Sequence, residues 1–496
     1  MVAAKKYEVV IGLEVHAQLL TSSKMFCACP NDYLDSAPNS VACPVCLGMP
    51  GVMPVINKRA VEFVITTGLA LNSTISARTQ FHRKNYPYPD LMKGYQISQY
   101  DGPIAEHGSL EIEVSGQKKL IRITRVHLEE DVAKLHHIKS PEGKSYSLVD
   151  VNRSGIPLME TVSEPDMRSP EEAREYLIKL RSVLQYLNVS TGNMEDGSFR
   201  CDANISIRPM GTLKLFPKVE IKNMNSLRAV YKALEYEIQR QTDLVEGGGA
   251  VIQETRGWID ENEITVSQRA KEDAHDYRYF PEPDLPPIEI EQSWIESIKC
   301  HLPELQSEKL NRFMAEYQLG HYDANLITGS KPMADFFEEA LMSRSLQKEQ
   351  IAVKAKTILN WIVGDLTSLL NANNIEIRKS MITPELIRDL TDQIDSEEIT
   401  GSAGKIILDE MFRTGKSSRV IADSQGLTRI SNQEILEVSV NSILEENPKA
   451  VQDYLSGRDT AIKFLLGQVM KQTRGRANPV IITEMLEEKL SSMELS

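Results

Sequence analysis

The sequence predicts an α+β protein with a sheet-rich first domain over residues 1–293, an all-helical domain over 294–402 and a helical tail domain over 403–496. Two observations predict it. Several stretches of the first part alternate apolar and polar residues with period 2, which marks strands with one buried face. After the proline-rich segment "DYRYFPEPDLPP", residues 276–287, strand signals fade and helices with charged faces take over. Length agrees, because 496 residues are too many for one ordinary core.

The first strand is "EVVIGLEVHAQL", residues 8–19, with Val9, Ile11, Leu13, Val15, Ala17 and Leu19 on one side and Glu14, His16 and Gln18 on the other. In "ITRVHLEEDVAKLHH" Val126 and Leu128 alternate with His127 and Glu129, and Glu130 and Asp131 follow. Ser169, Pro170 and Glu172 then open a helix with a capping box and a proline at its first position. Its face of Ala173, Tyr176, Leu177, Leu180, Leu184 and Leu187 is expected to pack on the sheet. "GSFRCDANISIRP" sets Phe199, Cys201, Ala203, Ile205 and Ile207 against Arg200, Asp202, Asn204, Ser206 and Arg208. "FPKVEIKNMNS" sets Val219 and Ile221 against Lys218, Glu220 and Lys222, and "PMGTLKL" can turn these two strands into a hairpin. A further helix is expected over about 226–241, with Val230, Leu234 and Ile238 on its apolar side.

Composition narrows the classes. No apolar run approaches the ~18 residues that span a bilayer, and "MVAAKKYEVV" lacks a signal core, so a cytoplasmic protein without a membrane partner is expected. A net charge of −14 argues against a generic nucleic-acid coat, although local basic clusters still count. Six cysteines in such a chain do not read as a disulfide framework. Cys27, Cys29, Cys43 and Cys46 form a C-x-C and a C-x2-C knuckle in a loop over about 25–50, the pattern of a closed structural zinc site, with reduced structural or redox thiols as the alternative. Cys201 and Cys300 read as ordinary buried thiols.

The polar strand faces carry Asp, Glu, His, Asn and Arg, the mixture that Mg²⁺ and phosphates require. A solvated outer face is the bland alternative for any one strand. "FRTGKSS", residues 412–418, imitates a phosphate-binding loop, but Glu410 stands where that pattern needs glycine.

Taken in order, "IGLEVHAQL", "RKNYPYPDLMKGYQISQYDGPI", "RVHLEEDVAKL", "LVDVNRSGIPLMETVSEPD", "RCDANIS", "VEIKNMNS" and "DYRYFPEPD" closely resemble the B subunit family of the bacterial glutamyl/aspartyl-tRNA amidotransferases, over essentially the whole chain. The resemblance implies a cradle domain with a curved antiparallel sheet, related in fold to glutamine synthetase and the guanido kinases, that binds ATP and Mg²⁺. It implies phosphorylation of the side-chain carboxylate of Glu-tRNA(Gln) or Asp-tRNA(Asn), then amidation by ammonia from a partner A subunit, with a small C subunit in the complex. Carried onto this chain, it makes Glu14, His16, Glu129, Glu130, Glu160, Asp202 and Glu220 candidate Mg²⁺ and phosphate ligands, with Glu14, His16, Glu129, Glu130 and Asp202 serving catalysis. Strand phasing puts Glu129 and Glu130 on opposite faces, so one of them acts from a bulge or strand end. Arg83, Lys84 and Arg200 become candidates for offsetting phosphate charge. The family includes members with and without the four cysteines, which makes the zinc a scaffold. The tail resembles a tRNA-contacting module; between Ala461 and Val480 stand Lys463, Lys471, Arg474 and Arg476 and no acid. Lys471, Arg474 and Arg476 are the candidate tRNA contacts. Two rivals are a non-enzymic tRNA adaptor with structural carboxylates, and a self-contained ligase that uses free ammonia.

Overall fold

The computed structural model describes residues 6–270, 277–342, 348–429, 433–456, 458, 460–473 and 477–494. The chain divides into two compact units between Leu305 and Gln306. The first is built on a nine-stranded sheet whose spatial order is Ile264–Ala270, Glu254–Ile259, Val219–Met224, Phe199–Pro209, Tyr7–Gln18, Pro157–Ser163, Gln117–Glu130, Ala105–Val114 and Thr74–Ile75. The alternating first strand thus becomes the middle strand. Its apolar series Ile11, Leu13, Val15 and Ala17 is at most 1% exposed and joins one core with both long helices.

Those helices follow from local chemistry. Ser169 accepts the Glu172 N–H at 3.2 Å and Pro170 opens the helix Pro170–Tyr186. The Glu172 carboxylate reaches back one residue further than a capping box requires, taking the Arg168 N–H at 2.7 Å. Ala173, Tyr176, Leu177, Leu180 and Leu184 are fully buried against the sheet side. Ser226 caps the second helix through the Ala229 N–H at 3.0 Å, and that helix runs on to Glu246, past the expected end. Its length corrects one expectation about the sheet. Seven of the eight neighbouring strand pairs are antiparallel, but Val219–Met224 and Glu254–Ile259 are parallel. The helix Leu227–Glu246 carries the chain back between them, and a strand reached by such a crossover must run in the same direction.

The helix Gln292–Cys300, expected with the helical domain, instead packs Ile295 into the first core, with Trp294 and Ile298 against it. In the second unit, the helix Gly401–Thr414 was expected to open the tail, but Ala403, Ile407, Leu408 and Met411 share a core with Phe313, Phe337 and Ile362. A separate core gathers Leu436, Val440, Leu465, Val469, Ile482 and Leu486 from the helices that follow. Gly415 ends Gly401–Thr414 in a left-handed conformation, φ 67°, with its N–H on Met411 O. The imitation phosphate loop therefore follows a helix, not the strand that a phosphate-binding loop follows. No helix among the described residues is long and apolar enough to cross a membrane.

One buried charge ties the crossover helix to the two strands at one end of the sheet, Glu254–Ile259 and Ile264–Ala270. Glu237, 0% exposed in the middle of its helix, accepts from Arg240 Nε at 2.8 Å, meets Arg256 Nε at 3.1 Å and takes the Thr265 hydroxyl. Replacing Glu237 by Ala leaves Arg256 and Arg240 to share Glu254 as their one acid, with Arg256 2.8 Å and Arg240 3.8 Å from it. The expected loss is about 3–5 kcal/mol of stability in denaturant unfolding, and the double replacement Glu237→Leu/Arg256→Met should lose less than the single one. Equal losses in the two variants would show that the charge network does not hold these strands.

Candidate functional site

Register turns scattered residues into rows. His16 pairs with Glu160 on one side and Arg200 on the other, and Glu160 pairs in turn with His127. One row across the polar face is therefore His127, Glu160, His16, Arg200. Because directly opposed residues share a face, the next row holds Arg125, Val162, Glu14 and Asp202, and beyond it Asn204 pairs with Glu220. Both rows open on a cavity of about 890 Å³, whose lining also includes Glu129, Lys84, Lys222 and Asp131.

Two carboxylates and two imidazoles meet at the centre. Glu160 Oε2 lies 3.5 Å from His16 Nε2 and 3.2 Å from His127 Nε2, and Glu129 Oε1 lies 3.6 Å from His16 Nε2. The Ser98 hydroxyl steadies Glu129 at 3.1 Å. Burial alone would pull the His16 imidazole down; Glu160, Glu129 and Asp202 outweigh it and push His16 up to about 9. Burial likewise works to raise Glu160, yet His127 and His16 hold it well below the carboxylate range. A second acidic pair, Asp202 and Glu220, shares the Lys222 ammonium at 2.5 and 3.0 Å. Glu14 accepts from the Asn204 amide at 2.8 Å.

Each acidic pair thus already shares a cation, which is the charge arrangement a divalent ion needs. One ligand atom from each of His16, Glu129 and Glu160 lies within 4.8 Å of the others, so this trio can hold a metal. Arg200 lines the cavity but is drawn to Asp131 at 2.9 Å, which also accepts from Gln18 at 2.9 Å. Lys84 lines it too, with its ammonium 5.0 Å from the Tyr277 ring centroid.

Two of the expected residues stand elsewhere, and alternation is the reason for both. Glu130 follows Glu129 and turns to the opposite face, where it pairs with Lys93 and accepts the Ile97 N–H at 3.0 Å. Arg83 precedes Lys84 and turns away to a bidentate pair with Glu282, both contacts 2.7 Å, while its guanidinium covers Tyr95. Neither lines the cavity. The reading of the sequence gave no role to His127, Lys222 or Asn204, although all three fall on the polar side of strands it identified.

The four cysteines converge in a loop outside this cavity. Cys46 Sγ lies 3.4 Å from Cys27, 3.6 Å from Cys43 and 3.7 Å from Cys29. Zinc bound by four sulfurs at ~2.3 Å spaces them about 3.8 Å apart, so the thiols fit a structural metal. Gly48 closes the knuckle at φ +62°, and a Cβ there would fall 2.3 Å from Lys93 Cγ. Lys24, 1% exposed, donates to Val41 O at 2.8 Å and to Cys46 Sγ at 3.7 Å. Hydrogen bonding with Cys27 and the nearby ammonium outweigh burial and pull the Cys46 thiol down. Of the remaining cysteines, Cys201 is buried as expected, but Cys300 is exposed. In the tail, Lys471 is exposed on the helix Thr460–Gln472, while Arg474 and Arg476 lie outside the described residues.

Comparison with known proteins places this geometry. Residues 9–296 match the GatB/GatE catalytic domain and residues 335–490 match the GatB domain. The chain is 53% identical to the aspartyl/glutamyl-tRNA(Asn/Gln) amidotransferase B subunit of Dehalococcoides mccartyi (strain CBDB1), over 98% of this chain and 99% of that one. It is 49% identical to the protein of the same name from Carboxydothermus hydrogenoformans, over 99% of this chain and 100% of that one, and 50% identical to that from Moorella thermoacetica, over 98% and 100%. The acidic and basic rows all fall inside the catalytic match, and the chain belongs to the family of aspartyl/glutamyl-tRNA(Asn/Gln) amidotransferase B subunits.

Proposed function

We propose that this chain is the carboxylate-activating member of a tRNA-dependent amidotransferase, working in the cytoplasm with a partner A amidase and a small C subunit. Its substrates are Glu-tRNA(Gln), Asp-tRNA(Asn) or both. One observation carries the reading: the paired carboxylates, imidazoles and cations converge in a single cavity within the part that matches the catalytic domain. The sheet-rich unit serves as the cradle, with the kinship to glutamine synthetase and the guanido kinases.

The chemistry needs activation because a free carboxylate is a poor electrophile. A carboxylate oxygen of the misacylated tRNA takes the terminal phosphoryl group of ATP, and the bond to the ADP oxygen breaks. Ammonia then adds its lone pair to the acyl carbon, phosphate departs with the carbon–oxygen electrons, and the surplus proton leaves the nitrogen. Positioning and charge neutralisation matter more here than covalent help from the protein. Mg²⁺ held by Glu14, His16, Glu129, Glu160, Asp202 and Glu220 supplies charge neutralisation for the phosphates. Lys84 adds a cation on the cavity wall, and Asp131 orients Arg200 toward the same space.

Release of ADP that requires misacylated tRNA, measured in the assembled complex, tests the reading directly. An adaptor would release none, and a self-contained ligase would complete amidation with free ammonia as readily without the A subunit as with it. Within that assay, Glu14→Gln, Glu129→Gln and Asp202→Asn should each lower ADP release by about 100-fold or more while tRNA binding persists. Wild-type turnover by all three variants at limiting Mg²⁺ would remove them from the metal site.

The cysteine loop is proposed to hold one structural zinc through Cys27, Cys29, Cys43 and Cys46. Elemental analysis should find one zinc per chain, and Cys43→Ser should lower the melting temperature and release the metal to a chelator. Metal-replete protein free of zinc would rule this site out.

The tail is proposed to meet the tRNA body through Lys471, Arg474 and Arg476. Replacing all three should flatten the slope of log affinity against log salt by about two and raise the KM for aminoacyl-tRNA, with kcat changed much less. An unchanged slope would return them to a solvated helix face.

A further inference from the structure

Most cations around the cavity are already spoken for. Lys222 is neutralised by Asp202 and Glu220, Arg200 and Arg153 by Asp131, and His16 by Glu129 and Glu160. Arg125 and Lys84 differ. Among the described residues, neither makes an ion pair or a hydrogen bond, although both line the cavity and both are only partly exposed. Lys134 also lacks an ion pair, but it is exposed and water covers it.

Arg125 stands one alternation from His127 on the polar face, between Val162 on one neighbouring strand and Glu106 on the other. Glu106 is directly opposite, yet no ion pair forms between them within 4.0 Å. Lys84 makes no ion pair within 4.0 Å and lies 5.0 Å from the Tyr277 centroid and 5.9 Å from that of Tyr86, while burial works against its charge and the more distant Glu129 and Glu160 outweigh it and push its ammonium up. Burial pushes the Tyr279 hydroxyl up, as do Glu129 and Glu160, while Lys84 and Arg125 both pull it down, so the two cations reach one stretch of wall beside the acidic centre. Arg125, drawn partly out of water with no ion pair of its own, is the charge that an incoming anion relieves, and Lys84 adds a second cation that no carboxylate touches directly.

We propose that Arg125 and Lys84 form a two-cation seat for a phosphate group, with the Arg125 guanidinium as its planar, two-pronged half and the Lys84 ammonium as its point charge. The seat rests on the functional reading above, which supplies two sources of phosphate. One is the terminal phosphates of a nucleoside triphosphate; the other is the backbone at the aminoacylated end of the RNA.

The assembled complex, assayed with ATP and aminoacyl-tRNA titrated separately, distinguishes them. Arg125→Gln should raise one KM by about tenfold or more, and Arg125→Lys should recover part of the loss. A rise for ATP alone assigns the nucleotide, and a rise for tRNA alone assigns the RNA backbone. The KM that stays constant shows that the variant is folded. Glu106→Gln should leave both values unchanged. Both KM values within twofold of wild type in Arg125→Gln would overturn the seat, as would a Glu106→Gln variant that reproduces the Arg125→Gln loss, which would make Arg125 a strand-pairing residue. The underlying reading fails by a different result, ATP-independent amidation by the wild-type complex, and the nucleotide source falls with it.

Discussion

Everything at the site depends on the register of one strand. Tyr7–Gln18 runs through the middle of the sheet and is paired over most of its length with Phe199–Pro209 and, at its second half, with Pro157–Ser163. A slip of one residue would turn Glu14 and His16 into the core and Leu13 and Val15 into the cavity. The fully buried series from Ile11 to Ala17 is what makes that slip unfavourable, so packing on one face positions the chemistry on the other.

The polar face carries a second constraint. Glu129 and Glu160 are nearly buried, and buried carboxylates are unfavourable without partners. Here the partners are shared: two imidazoles serve two carboxylates, and one ammonium serves Asp202 and Glu220. Such sharing holds the acids close together around protein cations that another ion can replace. Glu130 and Arg83 show the opposite arrangement. Each is locked to its own partner, Lys93 or Glu282, away from the cavity, and such pairs hold structure instead of leaving a charge to use.

Period-2 alternation made the strands legible, and with them the side of the strand on which Glu14, His16, Glu129 and Asp202 would fall. It could not show which strands become neighbours. His127 meets Glu160 only because Gln117–Glu130 and Pro157–Ser163 lie side by side, with a separate two-stranded hairpin between them in sequence. Lys222 is the opposite case, since Glu220 precedes it by two on its own strand and Asp202 lies across the hairpin that "PMGTLKL" already indicated. The parallel pair escaped because no clean alternation marks Glu254–Ile259 as a strand, so the crossover helix before it had no partner strand to direct. The helical boundaries escaped for a related reason: whether Gln292–Cys300 or Gly401–Thr414 joins one core or another depends on contacts remote in sequence. The phasing of Glu130 was visible, and resemblance alone had placed it among the ligands.

The central claim is that the tRNA-borne carboxylate becomes an acyl phosphate in this cavity. Misacylated tRNA carrying ¹⁸O in both side-chain carboxylate oxygens, turned over by the complex, tests it by mass spectrometry of the released inorganic phosphate. An acyl phosphate requires one substrate oxygen to leave with phosphorus, so one ¹⁸O should appear in phosphate for each amide formed. Phosphate free of label, with amide still produced, would contradict the account.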